Sequence, residues 1–251
     1  MNDRKHVADI TREAQINDAF VLVAGTLIDS YDVVDLLSTL VETCTRLLDV
    51  QAGGILLADS IGNLELVAST SEEAETVEIM ILAAGSGPCI ESYTTGTVVS
   101  VPSIDDTAQR WPRFRQTALE LGFRAAHATP LRLHGHVVGA MNLMSTETGP
   151  LSDRDAQLAQ ALADVATIGI VHERTFRQPG QIAAQLYLAL DTRVLIEQAK
   201  GVLAQHLDGT MTQAFAALRD YARIMDVSLR ATAEGILNRS IPIESIALPT
   251  S

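Results

Sequence analysis

Cysteine is scarce in this 251-residue chain: Cys44 and Cys89 are the only two. Two thiols cannot build a disulfide framework or a four-thiolate metal site, so a stapled secreted fold and a structural zinc module are both excluded. Lysine is nearly missing, with only Lys5 and Lys200 among 18 basic residues. No stretch reaches the roughly 18 uninterrupted apolar residues of a membrane helix. The longest, residues 19–28, is about half that and is closed by Asp29. Residues 1–13 carry charges but no apolar core or small-residue cleavage pattern, which is not signal-peptide chemistry. The expected location is therefore cytoplasmic, with no membrane partner. A basic excess is also lacking. The formal net charge is −13, which weighs against nonspecific polyanion binding, because phosphate contacts draw their affinity from Lys and Arg.

What the chain does have is an ordinary globular composition, 47% hydrophobic and 20% charged, in a length that suits one large or two smaller domains. Gln178-Pro179-Gly180 is the clearest punctuation and the best domain boundary. The charge divides there. Residues 1–178 hold 24 acidic and 12 basic residues, a net of −12, whereas residues 179–251 hold 7 and 6, a net of −1. Residues 51–100 contain seven acids and no Lys or Arg.

Apolar spacing predicts helix over 16–49, with a break at Asp29-Ser30-Tyr31-Asp32. Strands are expected at 54–58 and 64–69 around hairpin-loop residues 59–63. A helix at 76–84, a turn at Gly85-Ser86-Gly87-Pro88, a strand at 97–101 and an amphipathic helix at 108–122 follow. Residues 123–133 and 137–144 read as a hairpin around His134-Gly135-His136, and 152–176 as a long helix. Long helices bracketing antiparallel strands predict an α+β domain. After residue 180 no strand signal remains. Helices are expected at 181–207, 211–225 and 229–239, with Thr210–Gln213 as a capping box and Ser228 as an N-cap. The domain scheme is a tail at 1–15, a first domain at 16–177, a linker at 178–180, a second domain at 181–240 and a tail at 241–251.

Residues 17–175 resemble a GAF domain, a small-molecule sensor module with a central, mainly antiparallel sheet flanked by helices. The likeness is carried by DVVDLLSTLVETCTRLLDV, QAGGILLAD, GSGPCIESYTTG before TVVSVPSI, RWPRF, GFRAAHATPLRLHGHVVGAMNL and LSDRDAQLAQALADVATIGI, in that order. Residues 181–240 resemble an ANTAR domain, a small all-α three-helix module that binds RNA in bacterial antiterminators. Its signature is Arg193-x-x-Ile196-x-x-Ala199-Lys200-Gly201-Val202-Leu203, then Ala214-Phe215-x-x-Leu218-Arg219-x-x-Ala222, then Ser228-Leu229. Two departures stand out. Ala204 follows where the family usually has Met, and the third helix carries Gly235, which costs about 1 kcal/mol against Ala in a helix interior. Together the domains resemble transcription antitermination regulators of the actinobacterial type.

The residues also have a reading of their own. Arg193, Glu197, Lys200 and Ala204 share one helix face, with Ile196, Ala199 and Leu203 as the neighbouring apolar stripe. The second helix is expected to bury Phe215, Leu218 and Ala222 and to project Arg219 and Arg223, while Arg230 sits in the first turn of the third. Arg193, Lys200, Arg219, Arg223 and Arg230 are the candidate RNA-binding residues, and the loops of a structured mRNA leader are the expected target, because a duplex major groove is too narrow for side chains. Interspersed Asp191, Glu197, Asp220 and Asp226 leave open a solvated, ion-paired surface.

A DNA-reading helix-turn-helix is the alternative, with Arg230 and Asn238 as the contacts of SLRATAEGILN; DNA is not the expected partner. A thiol redox enzyme of the GAF fold is a third reading. It needs an attacking and a resolving thiol within reach, and Cys44 and Cys89 both read as core residues, so no catalytic residue is assigned. A bilin-attaching Cys is typically followed by His, whereas Ile90 follows Cys89. His134 and His136 lack a third ligand and read as turn residues, so no metal site is expected. Cys89, Trp111 and His127 are candidates for a sensor pocket holding an unidentified small molecule; no cofactor is known. The paired acids and Lys of a phosphorylated receiver domain are missing. A homodimer through the sensor-flanking helices is expected, with Leu158, Val165 and His172 as its seam.

Overall fold

The computed structural model describes residues 2–25, 33–59, 61–133, 135–176, 182–225 and 227–246. Helix α1 (Asn2–Gly25) opens the chain and α2 (Val33–Leu47) follows. Along α2, Val34, Leu37, Leu40, Val41 and Cys44 recur at three- and four-residue spacing and are all buried, so this face enters the core. Strands β1 (Ala52–Ala58) and β2 (Leu64–Ser69) pair as a hairpin. The Asp59 carboxylate closes its turn by accepting the backbone N–H groups of Ile61 at 2.9 Å and Asn63 at 2.8 Å.

Next come α3 (Glu72–Ala84), α4 (Pro88–Thr95), β3 (Val99–Val101), a 3-10 turn (Ile104–Thr107) and α5 (Pro112–Glu120). Strands β4 (Ala125–Leu133) and β5 (His136–Ser145) and helix α6 (Asp153–Phe176) complete the first domain. The five strands lie in the order β2-β1-β5-β4-β3, and every neighbouring pair is antiparallel. Strand alternation sends Ile55, Leu57 and Met141 to one face, where α2 and α6 cover them. Leu56, Ala140 and Met144 point to the other, under α3, α4 and α5. The sheet thus separates two cores. Their large buried side chains each contribute about 1.5–3 kcal/mol.

The second domain is a bundle of α7 (Ile182–Leu207), α8 (Met211–Met225) and α9 (Leu229–Leu237), closed by a 3-10 turn (Ile243–Ser245). Ile196, Ala199 and Leu203 from α7 meet Ala214, Ala217, Leu218 and Ala222 from α8 and Leu229, Ala233 and Ile236 from α9. The capping box forms reciprocally: Thr210 N–H donates to Gln213 Oε1 at 2.9 Å, and Gln213 N–H donates to Thr210 Oγ1 at 3.2 Å. The Ser228 hydroxyl accepts the N–H of Ala231 at 3.1 Å and starts α9. The bundle docks on the first domain through α7, which contacts α2 and β2.

The α+β architecture stands, and several local features differ from expectation. Helix α1 runs through residues expected to be a tail. Helix α4 starts at Pro88, the last residue of the expected turn, and runs through residues for which no element is expected; Pro88 sits at its first position, where proline starts a helix as readily as it closes a turn. Gly235 lies inside α9 without interrupting it. A Cβ there would lie 2.5 Å from Ile241 Cδ1 and 2.7 Å from Cγ1, so glycine lets Ile241 close over the helix and brings buried Ile246 into the bundle. The expected dimer seam also turns inward: Leu158 is buried in the chain's own core and Val165 packs against it. The His172 side chain, His134 and the linker 178–180 lie outside the described residues.

Candidate nucleic-acid interface

Phe215 and Arg219 are four residues apart on α8 and so project from one face. Lys200 reaches the same place from α7. The Lys200 ammonium lies 5.4 Å from the Phe215 ring centroid and the Arg219 guanidinium carbon lies 5.7 Å from it, so one half-buried aromatic ring is flanked by two cations. Lys200 Nζ also donates to both oxygens of Glu197, at 2.8 and 3.0 Å. Phe215, expected in the bundle core, is partly buried: it packs against that core and also lines a groove between the two domains. That groove has a volume of about 420 Å³, and Glu42, Glu72 and Glu75 from the first domain face Lys200, Phe215 and Arg219 across it.

Two of the candidate cations reach across to the first domain. Arg219 Nε lies 3.1 Å from Asp35 Oδ1, its Nη1 donates to Glu42 Oε2 at 2.6 Å, and its Nη2 donates to Thr39 Oγ1 at 3.0 Å, all on α2. Burial alone would lower the Arg219 pKa, but the Glu42 and Asp35 carboxylates outweigh it and hold the guanidinium more firmly charged than usual. Arg193 donates through Nη2 to Glu75 Oε1 at 2.9 Å and through Nη1 to the Leu66 carbonyl. The other two have partners in their own domain. Arg230 donates to Glu234 Oε1 at 2.9 Å and to Thr192 Oγ1 at 3.2 Å. Arg223 pairs with Asp220 and keeps a side chain that is 78% exposed. The structure therefore gathers Lys200 and Arg219 around Phe215, and turns Arg193 and Arg219 toward the first domain.

The three sensor-pocket candidates do not share a pocket. Cys89 on α4 and Trp111 before α5 belong to the core under α3–α5, where Trp111 meets Phe114 edge-on with centroids 6.0 Å apart. His127 on β4 points through the other sheet face, toward a cavity of about 270 Å³ lined also by Asp49, Leu143 and Asp155. Its ring nitrogens are buried without a hydrogen-bond partner, and burial lowers its pKa, which favours the neutral ring. The period-two alternation of β4 already separates His127 from Ala126 and Ala128, which line the Cys89 side.

The sequence reading missed a buried carboxyl group. Glu78 sits on the inward arc of α3 at helical spacing with Ala74 and Ile81, the one signal of its burial. Asn142 Nδ2 donates to Glu78 Oε1 at 2.8 Å, while Glu78 Oε2 and Asn142 Oδ1 are buried without partners. Burial, opposed by the Asn142 hydrogen bond and the neighbouring Cys89 thiol, pushes the Glu78 pKa up to about 7. Burial and then the Glu78 carboxylate push the Cys89 thiol well up, and burial pushes Cys44 up to about 12. A protonated, enclosed thiol is a poor nucleophile, and the sheet keeps these two in separate cores. That geometry opposes an attacking and resolving pair. Among the described residues no group of three or more His, Cys, Asp or Glu side chains is arranged to hold a metal ion, and no helix is long and apolar enough to cross a membrane.

The GAF domain family model matches residues 32–170, and the ANTAR domain model matches residues 184–237. The chain is a member of the GAF family with an ANTAR domain behind it. Among curated proteins nothing matches this GAF–ANTAR protein. Among solved structures, its GAF portion is similar to the GAF domain of an Acinetobacter phosphoenolpyruvate-protein phosphotransferase, with 15% identity, 64% of this chain and 95% of that one covered, and a TM-score of 0.50. The corresponding domain from Coxiella burnetii gives 16% identity, 65% and 96% coverage and a TM-score of 0.53. A free methionine-R-sulfoxide reductase from Neisseria meningitidis, solved with its substrate, gives 17% identity, 64% and 91% coverage and a TM-score of 0.51. At these identities the likeness carries the fold alone. GAF and ANTAR domains are regulatory modules, and an ANTAR domain is an RNA-binding domain.

Proposed function

We propose that this GAF–ANTAR protein is a cytoplasmic, signal-responsive antitermination regulator that binds the hairpin loops of a structured mRNA leader. Binding would stabilise an antiterminator hairpin and let polymerase read through. The observation that carries the reading is the Phe215 ring between Lys200 and Arg219. An aromatic face accepts a splayed loop base by stacking, and flanking cations meet its phosphates. Arg193, Arg223 and Arg230 extend the same basic set. The helix-turn-helix alternative gains no support.

The GAF domain would supply the signal by binding a small molecule, with no chemistry of its own. Homodimerisation through the GAF-flanking helices is part of the proposal. Its support is now the outer faces of α1 and α6, where Val21, Leu22 and Ile168 stay exposed, instead of Leu158 and Val165.

Gel shifts with a two-hairpin leader RNA and a promoter duplex at one salt concentration test the reading. The wild type is expected to prefer the RNA. Lys200→Ala with Arg219→Ala is expected to weaken RNA binding at least tenfold, and Phe215→Leu to weaken it by about 1–3 kcal/mol through lost stacking. Equal affinity of the wild type, the double variant and Phe215→Leu, which leaves the Arg219 contacts to α2 in place, would remove this face from the RNA site.

A further inference from the structure

We infer that the acidic surface of the GAF domain, formed by Asp35 and Glu42 on α2 and Glu75 on α3, occupies the RNA-backbone side of the ANTAR face, so that GAF domain and RNA bind there in competition. This rests on the RNA-binding reading above. A carboxylate presents two acceptor oxygens to a guanidinium fork much as a phosphodiester does. Arg219 spends its fork on Asp35, Glu42 and Thr39, and Arg193 spends its own on Glu75 and the Leu66 carbonyl. An RNA strand cannot accept from the same N–H groups while these contacts stand.

The groove around Phe215 adds a second obstacle. Glu42, Glu72 and Glu75 line the wall opposite Lys200 and Phe215, so a strand entering it would bring phosphates against three carboxylates. The charge division of the chain has its structural meaning here. The region from 51 to 100, with seven acids and no Lys or Arg, supplies Glu72 and Glu75 to the groove, and the nearly neutral C-terminal domain supplies the cations.

Helix α3 connects this contact to the sensor interior. Glu75 faces Arg193, while Glu78, one turn further along, is buried against Asn142 beneath the sheet. A rearrangement of the core under α3 would thus move a carboxylate that holds the ANTAR domain. The closed form lowers apparent RNA affinity by the fraction of molecules that are open.

The test labels the full chain with a fluorescent pair at Ile61→Cys and Ile224→Cys. Both positions are more than 70% exposed, one on each domain, while Cys44 and Cys89 are buried. Leader RNA is titrated into this protein and into the same protein carrying Asp35→Asn, Glu42→Gln and Glu75→Gln. Energy transfer is expected to fall as RNA binds the parent. The triple variant is expected to start at low transfer and to bind RNA about tenfold more tightly, as for a closed form favoured about ten to one. RNA bound at unchanged transfer, or an opened triple variant with unchanged affinity, overturns the competition while leaving the RNA site intact. Failure of both proteins to bind RNA defeats the RNA-binding reading and this inference with it.

Discussion

The two domains build their cores from different material. The GAF domain fills the space on either side of a sheet with large side chains such as Phe114, Trp111, Ile81, Leu40 and Met141. The ANTAR bundle relies on Ala199, Ala214, Ala217, Ala222 and Ala233, with a few Leu and Ile residues between them. Small residues let three helices approach closely, and the long Lys200 and Arg219 side chains lie at the rim of this bundle, in the groove against the first domain. Such a bundle removes little apolar area from water and depends more on caps and on its contact with α2 and β2. The ANTAR domain is thus the part whose engagement can change.

The largest expected effect separates these cores directly. The one tryptophan, Trp111, lies against Phe114 and reports on the GAF domain alone. Phe114→Ala should lower the urea transition seen by its fluorescence by about 3–5 kcal/mol. Leu218→Ala should cost about 2–5 kcal/mol in the helical circular-dichroism transition with little change in Trp111 fluorescence. If both substitutions move the Trp111 transition equally, the domains unfold as one unit and the contrast fails.

An intermediate effect tests the buried Glu78. Its folded pKa, about 7, lies above the unfolded value of 4.5. The folded state therefore holds the extra proton between those values, and GAF stability should fall as pH rises through roughly 4.5 to 7. The full change is on the order of 3 kcal/mol at 1.36 kcal/mol per pH unit. Glu78→Gln should flatten that slope in denaturation measured from pH 4.5 to 8 and leave the ANTAR transition unmoved. An unchanged slope would show that Glu78 is not its source. The smallest effect belongs to the bundle: Ser228→Ala should remove about 1 kcal/mol by uncapping α9, read from helical circular dichroism on heating. A loss near zero would mean that packing of Leu229 and Ile236 sets α9 without its cap.

Much of this was legible along the chain. The limits of α8 follow from the capping box at Thr210–Gln213, and the start of α9 from Ser228, because both signals are local hydrogen bonds between residues three apart. The β2 limits and the β4–β5 hairpin follow from alternation and turn residues. Helix α4 was hidden because proline and glycine punctuate helix starts and turns alike. Phe215 enters the core only in part, because helical spacing gives its face but not which neighbour covers that face. The common location of Cys89, Trp111 and His127 failed for a related reason: strand parity puts His127 on the far side of the sheet, and only the strand order shows what lies there.

The two-domain organisation, the α+β and all-α characters, and the set of cations on the second domain follow from the order of residues along the chain. These depend on periodicity, caps and composition, which act between near neighbours. Tertiary structure decided what those cations meet. Arg219 finds Asp35 and Glu42, and Arg193 finds Glu75, across separations of more than one hundred residues. No local rule fixes such partners, because they arise only when α7 docks on α2 and β2 and brings an acidic domain against a basic face.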